Sequence, residues 1–102
     1  MSDETLRRTM LFDFFGDLLT LKQQEYYDLY YNEDLSLSEI AESAGISKQG
    51  VYDVIMRAEK TLADIEQKTG IVHRWCKARS ELEHAVAGDG DALSVALHYF
   101  EL

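Results

Sequence analysis

The sequence predicts an all-α protein, and three observations favour this class. The 102 residues contain no proline and only six glycines, so few positions force a helix to end. Leucine, alanine, glutamate and lysine together far outnumber valine and threonine, a composition that favours helices over strands. Two capping boxes, at Thr20–Gln23 and Ser36–Glu39, mark helix N-termini. We therefore expect a helical bundle.

Three helices are predicted in the first half of the chain. The first runs from Asp3 to about Leu19 and carries an apolar stripe wider than one helix face requires. The second follows Thr20 and contains Tyr26, Tyr27, Tyr30 and Tyr31. Closely spaced tyrosines are compatible with base stacking, but tyrosine packing favours two or three core residues whose hydroxyls reach the surface. The third helix is short, from Ser36 to about Ser43.

A long helix is predicted next, because Ser47 is a suitable cap and no breaker occurs from Val51 to Thr69. Gly70 is expected to end it. Its apolar residues form a seam that continues well beyond a recognition helix of three to four turns: Val51, Ile55, Ala58, Leu62 and Ile65. C-terminal helices follow, one over 71–87 and, after a loop at 87–91, a last one carrying Leu93, Ala96, Leu97 and Phe100.

The residues around the turn from 36 to 62 predict a helix-turn-helix. Two helices that meet at a steep angle need a small residue for close approach, which Ala41 supplies. The sharp turn needs a residue that tolerates positive φ, and Gly45 does so. We expect the facing sides to be formed by Ile40, Ala44, Ile46, Val51 and Val54. Residues 1–70 would then form a helix-turn-helix domain, with 71–102 as a C-terminal helical extension.

The start of the second helix of this motif is the candidate nucleic-acid interface, because such residues contact base edges in DNA-reading proteins. The predicted contact residues are Ser47, Lys48, Gln49, Tyr52, Arg57 and Lys60. Gln49 has the groups to pair with adenine, and Lys48 has the reach for guanine or phosphate. Asp53 opposes phosphate, although it lies four residues before Arg57 and could pair with it. The alternative interpretation is an ordinary solvated helix face.

The charge distribution limits how strongly this interface can bind an anion. The formal net charge is −9, with −5 in residues 20–47 and 0 in residues 48–70. The segment after the turn therefore repels phosphate least. We expect weak or conditional nucleic-acid binding. A second hypothesis stays open, in which the same helix docks on a protein partner and no nucleic acid is bound.

Two family resemblances follow from these motifs. The stretch LTLKQQEYYDLYYNEDLSLSEIAESAGISKQGVYDVIMRAEKTL is similar to region 4 of bacterial sigma factors, which reads a promoter element. A closer resemblance is to the YlxM family of small bacterial helix-turn-helix proteins. It is carried by LFDFFGDLLTLKQ, the YY and EIAE stretches and SKQGVYD, and it covers residues 6–69.

The resemblance to the YlxM family implies a regulatory role in the signal recognition particle pathway, because the family's genes lie beside that of the particle's GTPase. It implies components of that particle as partners and assigns no catalytic residues. The second helix departs from sigma region 4, since it has few arginines and Asp53 stands where a basic residue is common. This departure weakens an inference of tight promoter binding.

Enzymatic and metal-binding functions find little support in the residues. His73 and Cys76 are spaced three apart, but one cysteine and scattered histidines do not make a four-ligand set. A calcium loop starting at Asp89 would have Phe100 in place of the glutamate at its last position. No nucleophile with a base and an orienting group is visible. We expect a protein that is not an enzyme and has no metal and no cofactor.

The composition also bears on location and assembly. A single cysteine fits a reducing cytoplasm, the N-terminus lacks the apolar centre of a signal peptide, and no apolar run reaches the ~18 residues of a membrane span. We expect a cytoplasmic protein without membrane contact. The apolar residues of the first and long helices exceed what one small core can use, which predicts a homodimer. The alternative is that the C-terminal helices cover them within one chain.

Overall fold

The structure, a computed structural model, describes residues 3–86, and all regular elements in this range are helical. They are α1 (Asp3–Phe15), a 3₁₀ turn (Gly16–Leu18), α2 (Leu21–Tyr31), α3 (Leu37–Ala44), α4 (Lys48–Thr69) and α5 (Ile71–Val86). The all-α prediction is confirmed. The predicted loop at 87–91 and the last helix lie outside the described residues.

The chain forms two compact units, Met1–Ile65 and Glu66–Leu102. The first contains the helix-turn-helix. The predicted division into residues 1–70 and 71–102 stays a prediction.

The first helix is shorter than the sequence predicts. Its α-helical part ends at Phe15 and tightens into the 3₁₀ turn, where the Leu19 amide donates to the Gly16 carbonyl at 3.0 Å. Gly16 is buried, and a Cβ there would lie 3.4 Å from the Phe12 ring. A glycine inside a helix costs roughly 0.5–1 kcal/mol relative to alanine, so the helix is weakest at this point.

Both predicted capping boxes are confirmed. The Thr20 hydroxyl accepts from the Gln23 amide at 3.2 Å, while the Gln23 side chain accepts from the Thr20 amide at 3.0 Å. Ser36 and Glu39 repeat this arrangement with both distances at 3.1 Å. Each box satisfies two backbone amides that the helix itself leaves without partners. The chain therefore enters α2 and α3 at defined residues.

The turn of the helix-turn-helix has the backbone that the sequence predicts. Gly45 adopts φ 72°, and the amides of Gly45 and Ile46 both donate to the Ala41 carbonyl, at 2.9 and 3.2 Å. Ser47 then caps α4, because its hydroxyl oxygen accepts from the Gly50 amide at 3.0 Å. Three residues thus separate α3 from α4, and their hydrogen bonds fix the direction in which α4 begins.

The core beneath this turn is only partly the predicted one. Its buried residues are Tyr26, Ile40, Ala41, Val51 and Ile55, with Val54 partly buried against them. Two residues expected in this core, Ala44 and Ile46, are exposed.

Ile46 is exposed because the left-handed turn at Gly45 redirects the chain. This leaves Ile46 beside Gly50, and a Cβ added to Gly50 would lie 3.6 Å from Cδ1 of Ile46. Tyr26 and Ile55 are buried in this core, although they were not among the residues predicted to form it.

The apolar seam of α4 is confirmed over most of its length. Val51, Ile55, Ala58 and Leu62 are fully buried, and Ile65 is half-buried. Burying a side chain of valine, leucine or isoleucine size contributes roughly 1.5–3 kcal/mol, so this stripe supplies much of the stability of the first unit.

The prediction of two or three core tyrosines is confirmed, because Tyr26 and Tyr27 are buried and Tyr30 and Tyr31 are half-buried. The expectation that the hydroxyls of the core tyrosines reach the surface is not met by Tyr26 and Tyr27, which are only 4% and 2% exposed.

In the second unit, a buried carboxylate holds the corner between α4 and α5. Gly70 turns the chain with φ 63°, and Glu66 is only 5% exposed. Its two oxygens accept from the amides of Val72 and His73, each at 2.9 Å. A carboxylate at this place satisfies two free amides and is favoured by the positive end of the helix dipole. Glu66 therefore acts as the cap of α5.

Replacement of Gly45 tests the turn. We expect Gly45→Val to lower the free energy of unfolding by about 1–3 kcal/mol, because a β-branched residue is strained at φ 72°. An added Cβ has no heavy atom within 4 Å, so the expected loss comes from backbone strain at this position. The matched control is Gly45→Asn, which tolerates left-handed backbone and should lose less. Urea denaturation followed by circular dichroism measures both, and equal midpoints for the valine variant and the parent would contradict this turn.

Replacement of Glu66 tests the cap of α5. Glu66→Ala leaves the amides of Val72 and His73 without their acceptor, and hydrogen bonds to charged groups are worth about 1.5–3 kcal/mol. We expect a loss of that order in the free energy of unfolding. Glu66→Gln keeps one acceptor oxygen and should lose less. Glu81→Ala, at a half-buried glutamate of α5, is the control. If Glu81→Ala lowers the free energy of unfolding as much as Glu66→Ala does, loss of the cap is not the cause of that decrease.

Candidate nucleic-acid interface

The six residues predicted to contact nucleic acid all lie at or after the N-terminus of α4. All six are exposed: Ser47, Lys48, Gln49, Tyr52, Arg57 and Lys60. They share this location because the capped turn places the beginning of α4 at the surface while its apolar seam faces the core. The structure therefore makes the predicted set available to a ligand, although its members are not equivalent.

Ser47 has a structural role that occupies part of its hydrogen-bonding capacity. Its oxygen accepts from the Gly50 amide, and a Cβ at Gly50 would approach that oxygen to 3.1 Å. The hydroxyl hydrogen is still available to a phosphate oxygen. A contact from Ser47 would thus come from a side chain whose position is already fixed by the cap.

Gln49 is engaged within the helix. Its side-chain amide donates to the Asp53 carboxylate, with 2.9 Å between Nε2 and Oδ1. The suggested pairing of Asp53 with Arg57 is wrong, since no carboxylate in residues 3–86 lies within ion-pair distance of Arg57. Gln49 and Arg57 each lie one helical turn from Asp53, in opposite directions along the chain, and Asp53 bonds to Gln49. The amide that would pair with adenine must leave Asp53 first.

A shallow groove lies at the start of α4. It is lined by Leu37, Lys48, Gln49 and Tyr52. Leu37 belongs to α3 and was not among the predicted contact residues; its only signal in the sequence is an apolar side chain directly after the capping Ser36. The groove combines apolar and aromatic surface with one cation. It can therefore accept a flat or apolar group beside an anion.

The charges on the exposed surfaces of α3 and α4 are mixed. Lys48, Arg57 and Lys60 are exposed and form no ion pair within the described part of the chain. Asp53 and Asp64 are exposed on the same helix.

The short helix α3 adds Glu39 and Glu42, both exposed. Three cations among four carboxylates do not make a continuous positive stripe, so few phosphates can be neutralised here.

A second polar site, the Arg8 cluster, is formed by Arg8, Tyr27, Tyr31 and Glu59 and was missed by sequence reasoning. The Tyr31 hydroxyl donates to the Glu59 carboxylate, and the Arg8 guanidinium lies over the Tyr31 ring, 4.5 Å from its centroid. The Phe12 ring stacks on Tyr27 with 4.9 Å between centroids. These contacts tie α1, α2 and α4 together. Only the closely spaced tyrosines signalled them in the sequence.

The Arg8 cluster borders a small cavity that is lined by Glu4, Arg7, Arg8, Leu11, Tyr27, Glu59 and Leu62. Burial raises the pKa of Tyr27 to about 12; the Glu59 carboxylate adds to this rise and Arg8 opposes it. Burial also raises the pKa of Glu59 above its ordinary value, again against the effect of Arg8. The Arg8 cluster keeps the Tyr27 phenol neutral and holds α1 against the helix-turn-helix.

In residues 3–86, no three histidine, cysteine, aspartate or glutamate side chains are grouped so that they could hold a metal ion. His73 and Cys76 lie on α5, the first exposed and the second half-buried. No described helix has the length and apolar character needed to cross a membrane. Asp89 and Phe100 lie outside the described residues.

Comparison with known proteins gives a family and several relatives. The family model of UPF0122, YlxM / p13 like helix-turn-helix proteins, matches residues 2–92. A UPF0122 protein of Thermoanaerobacter sp. (strain X514) is 46% identical over 88 residues, which cover 86% of this chain and 75% of the relative. One of Shouchella clausii is 47% identical, covering 87% and 84%. One of Halalkalibacterium halodurans is 49% identical, covering 80% and 74%.

Alkaline titration tests the burial of Tyr27. The folded protein keeps this phenol protonated to about pH 12, whereas the unfolded chain ionises it near 10.0. The stabilising effect is therefore complete below pH 10 and is lost as the pH rises towards 12. We expect the free energy of unfolding to fall more steeply in this window for the parent than for Tyr27→Phe. Tyr52→Phe, at an exposed tyrosine, is the control and should follow the parent.

Proposed function

Because the chain belongs to the UPF0122 family of helix-turn-helix proteins, we propose that it is a regulatory protein that binds nucleic acid weakly through the first half of α4. The observation that carries this proposal is the exposed set of Lys48, Tyr52, Arg57 and Lys60 on a helix that directly follows a helix-turn-helix turn. In such motifs this part of the second helix enters the major groove.

Each contact residue has a role that follows from its surroundings. Lys48, Arg57 and Lys60 are free to neutralise phosphates. Tyr52, with Leu37 beside it in the groove, offers an apolar surface for a base or a thymine methyl group. Gln49 reads a base only when its amide leaves Asp53. Binding therefore begins with phosphate contacts, and base reading costs a hydrogen bond that must be replaced.

The place of this activity in the cell is part of the proposal. The resemblance to the YlxM family implies a role in the signal recognition particle pathway. A weak interface suits a regulator that gains affinity from a second contact in the same assembly. We propose that this chain acts in the cytoplasm as such an accessory component and is not an enzyme.

A protein-interaction module is the second candidate. It is favoured by the exposed carboxylates of Glu39, Glu42 and Asp53 on α3 and α4, which repel phosphate. Leu37 and Tyr52 would then receive an apolar side chain of a partner protein. The two candidate functions use the same surface, but they differ in how binding responds to salt and to replacement of the lysines.

The predicted homodimer stays a prediction. A two-fold dimer would bring two copies of α4 within reach of one duplex. The apolar excess that motivated it is smaller than expected, since Phe15 and Leu62 are buried and Phe12 stacks on Tyr27 within the first unit.

Salt-dependent titration tests the proposed function. Labelled duplex DNA and labelled RNA are titrated at several salt concentrations. Three phosphate contacts at about −0.9 each give a slope near −3 for the logarithm of the binding constant against the logarithm of salt. We expect Lys48→Ala and Lys60→Ala each to make the slope shallower by about 1. Lys22→Ala, at an exposed lysine of α2, is the control and should leave it unchanged.

Asp53 supplies the second arm of this experiment. Asp53→Ala removes a carboxylate and frees the Gln49 amide, so it should tighten binding. Asp64→Ala, which removes an exposed carboxylate further along α4, should change affinity less. If neither nucleic acid binds to the parent or to Asp53→Ala, the nucleic-acid proposal is wrong and the protein-interaction candidate replaces it.

A further inference from the structure

The corner between α1 and α2 exposes three large apolar side chains to solvent. Leu18 is 68% exposed and Leu21 is 82% exposed, and Phe14, four residues before Leu18, is 43% exposed. These three residues, which we call the corner patch, lie within residues 14–21. Several large apolar side chains exposed close together on a soluble protein are one mark of an interaction site.

The backbone beneath the corner patch is held in place. The 3₁₀ turn is closed by the hydrogen bond from Leu19 to Gly16, and the capping box of Thr20 fixes the start of α2. The Leu19 carbonyl also accepts from the Gln24 side chain at 3.2 Å, and the Leu19 side chain is buried. Leu18 and Leu21 thus project from either side of an anchored residue. A partner would meet a pre-formed surface and would not have to order it.

The charges next to the corner patch indicate what kind of partner fits. Asp13, Asp17 and Glu25 are exposed, and none of them has an ion pair within residues 3–86. Asp17 precedes Leu18, and Glu25 lies one helical turn after Leu21. Lys22 is the only lysine or arginine in residues 13–25. The rim is therefore acidic, and a ligand with the opposite charge is attracted to it.

Two other occupants fit this rim poorly. A second copy of the chain would present the same acidic rim, and each chain carries a formal net charge of −9, so two copies repel each other at this surface. Nucleic acid is repelled for the same reason and offers no apolar side chains for the leucines. A helix with apolar residues at i, i+3, i+4 and i+7 and lysine or arginine beside them satisfies both features.

We propose that the corner patch is a docking surface for a basic amphipathic helix of another protein. Leu18 and Leu21 receive the apolar face of that helix, while Asp13, Asp17 and Glu25 pair with its flanking cations. This surface lies at the end of α1, on the 3₁₀ turn and at the start of α2, and it shares no residue with the contact set on α4. The protein can accordingly hold a basic protein partner and a nucleic acid with different residues.

The test uses the full chain and a labelled synthetic helical peptide with leucines at i, i+3, i+4 and i+7 and lysines at the remaining positions. Fluorescence anisotropy measures its affinity. We expect Leu18→Ser and Leu21→Ser each to weaken binding at least tenfold. Leu82→Ser, at an exposed leucine of α5, is the matched control and should bind like the parent. Asp17→Lys should weaken binding and reduce its dependence on salt.

Two further measurements make the outcome decisive. A peptide of the same composition with its leucines scattered around the helix should bind at least tenfold more weakly than the amphipathic one. Equal binding of both peptides would mean simple charge attraction and would overturn the proposal. An equal loss in Leu82→Ser would mean that the leucines of the corner patch are not specifically involved, and it would overturn the proposal as well. It would also be overturned if light scattering of the free protein shows a dimer that Leu21→Ser dissociates, because the occupant would then be a second copy.

Discussion

Burial of one stripe of α4 is the constraint on which the rest of the first unit depends. Val51 and Ile55 close the core of the helix-turn-helix, and Ala58 and Leu62 continue the buried stripe further along the same helix. Because a helix repeats every 3.6 residues, fixing this stripe also fixes which residues face solvent. Lys48, Gln49 and Lys60 are exposed as a consequence of where the valine, isoleucine and leucine residues lie.

The same constraint explains why polar groups accumulate beside α4. Glu59 lies next to the buried Ala58, so its carboxylate is partly removed from water, and the Tyr31 hydroxyl with the nearby Arg8 guanidinium offsets that cost. Glu66 is buried in turn and is satisfied by two amides of α5. A buried carboxylate without such partners would destabilise the fold. The two glutamates therefore hold neighbouring helices by the contacts that their burial requires.

Sequence reasoning was most successful where the structure is decided within a few residues. The boxes at Thr20 and Ser36, the cap at Ser47 and the left-handed Gly45 each depend on side chains one helical turn apart or less, and all are present. The buried stripe of α4 could be predicted because periodicity alone identifies it. These features settle the fold class and place the candidate interface.

The features that could not be predicted depend on choices between partners or on distant contacts. Asp53 has Gln49 and Arg57 at the same spacing, and nothing in the sequence decides that it bonds to Gln49. The Arg8 cluster joins residues from three helices, so its pairs are invisible to local patterns. In each case packing selects one of several arrangements that the local sequence allows.

A helix-turn-helix can form in an acidic protein because different residues determine the geometry of the motif and the ligand that it binds. Ala41, Gly45 and Val51 are satisfied by packing and by backbone hydrogen bonds, and none of them requires a phosphate. The exposed residues determine what is bound, and in this protein they carry charges of both signs. Lys48, Arg57 and Lys60 form no ion pair among residues 3–86 and allow a few phosphate contacts, while the carboxylates beside Leu18 and Leu21, which also form no ion pair among these residues, favour a basic partner. A partner that neutralises those carboxylates would also reduce the repulsion that the whole chain exerts on a nucleic acid, so the two binding events would favour each other.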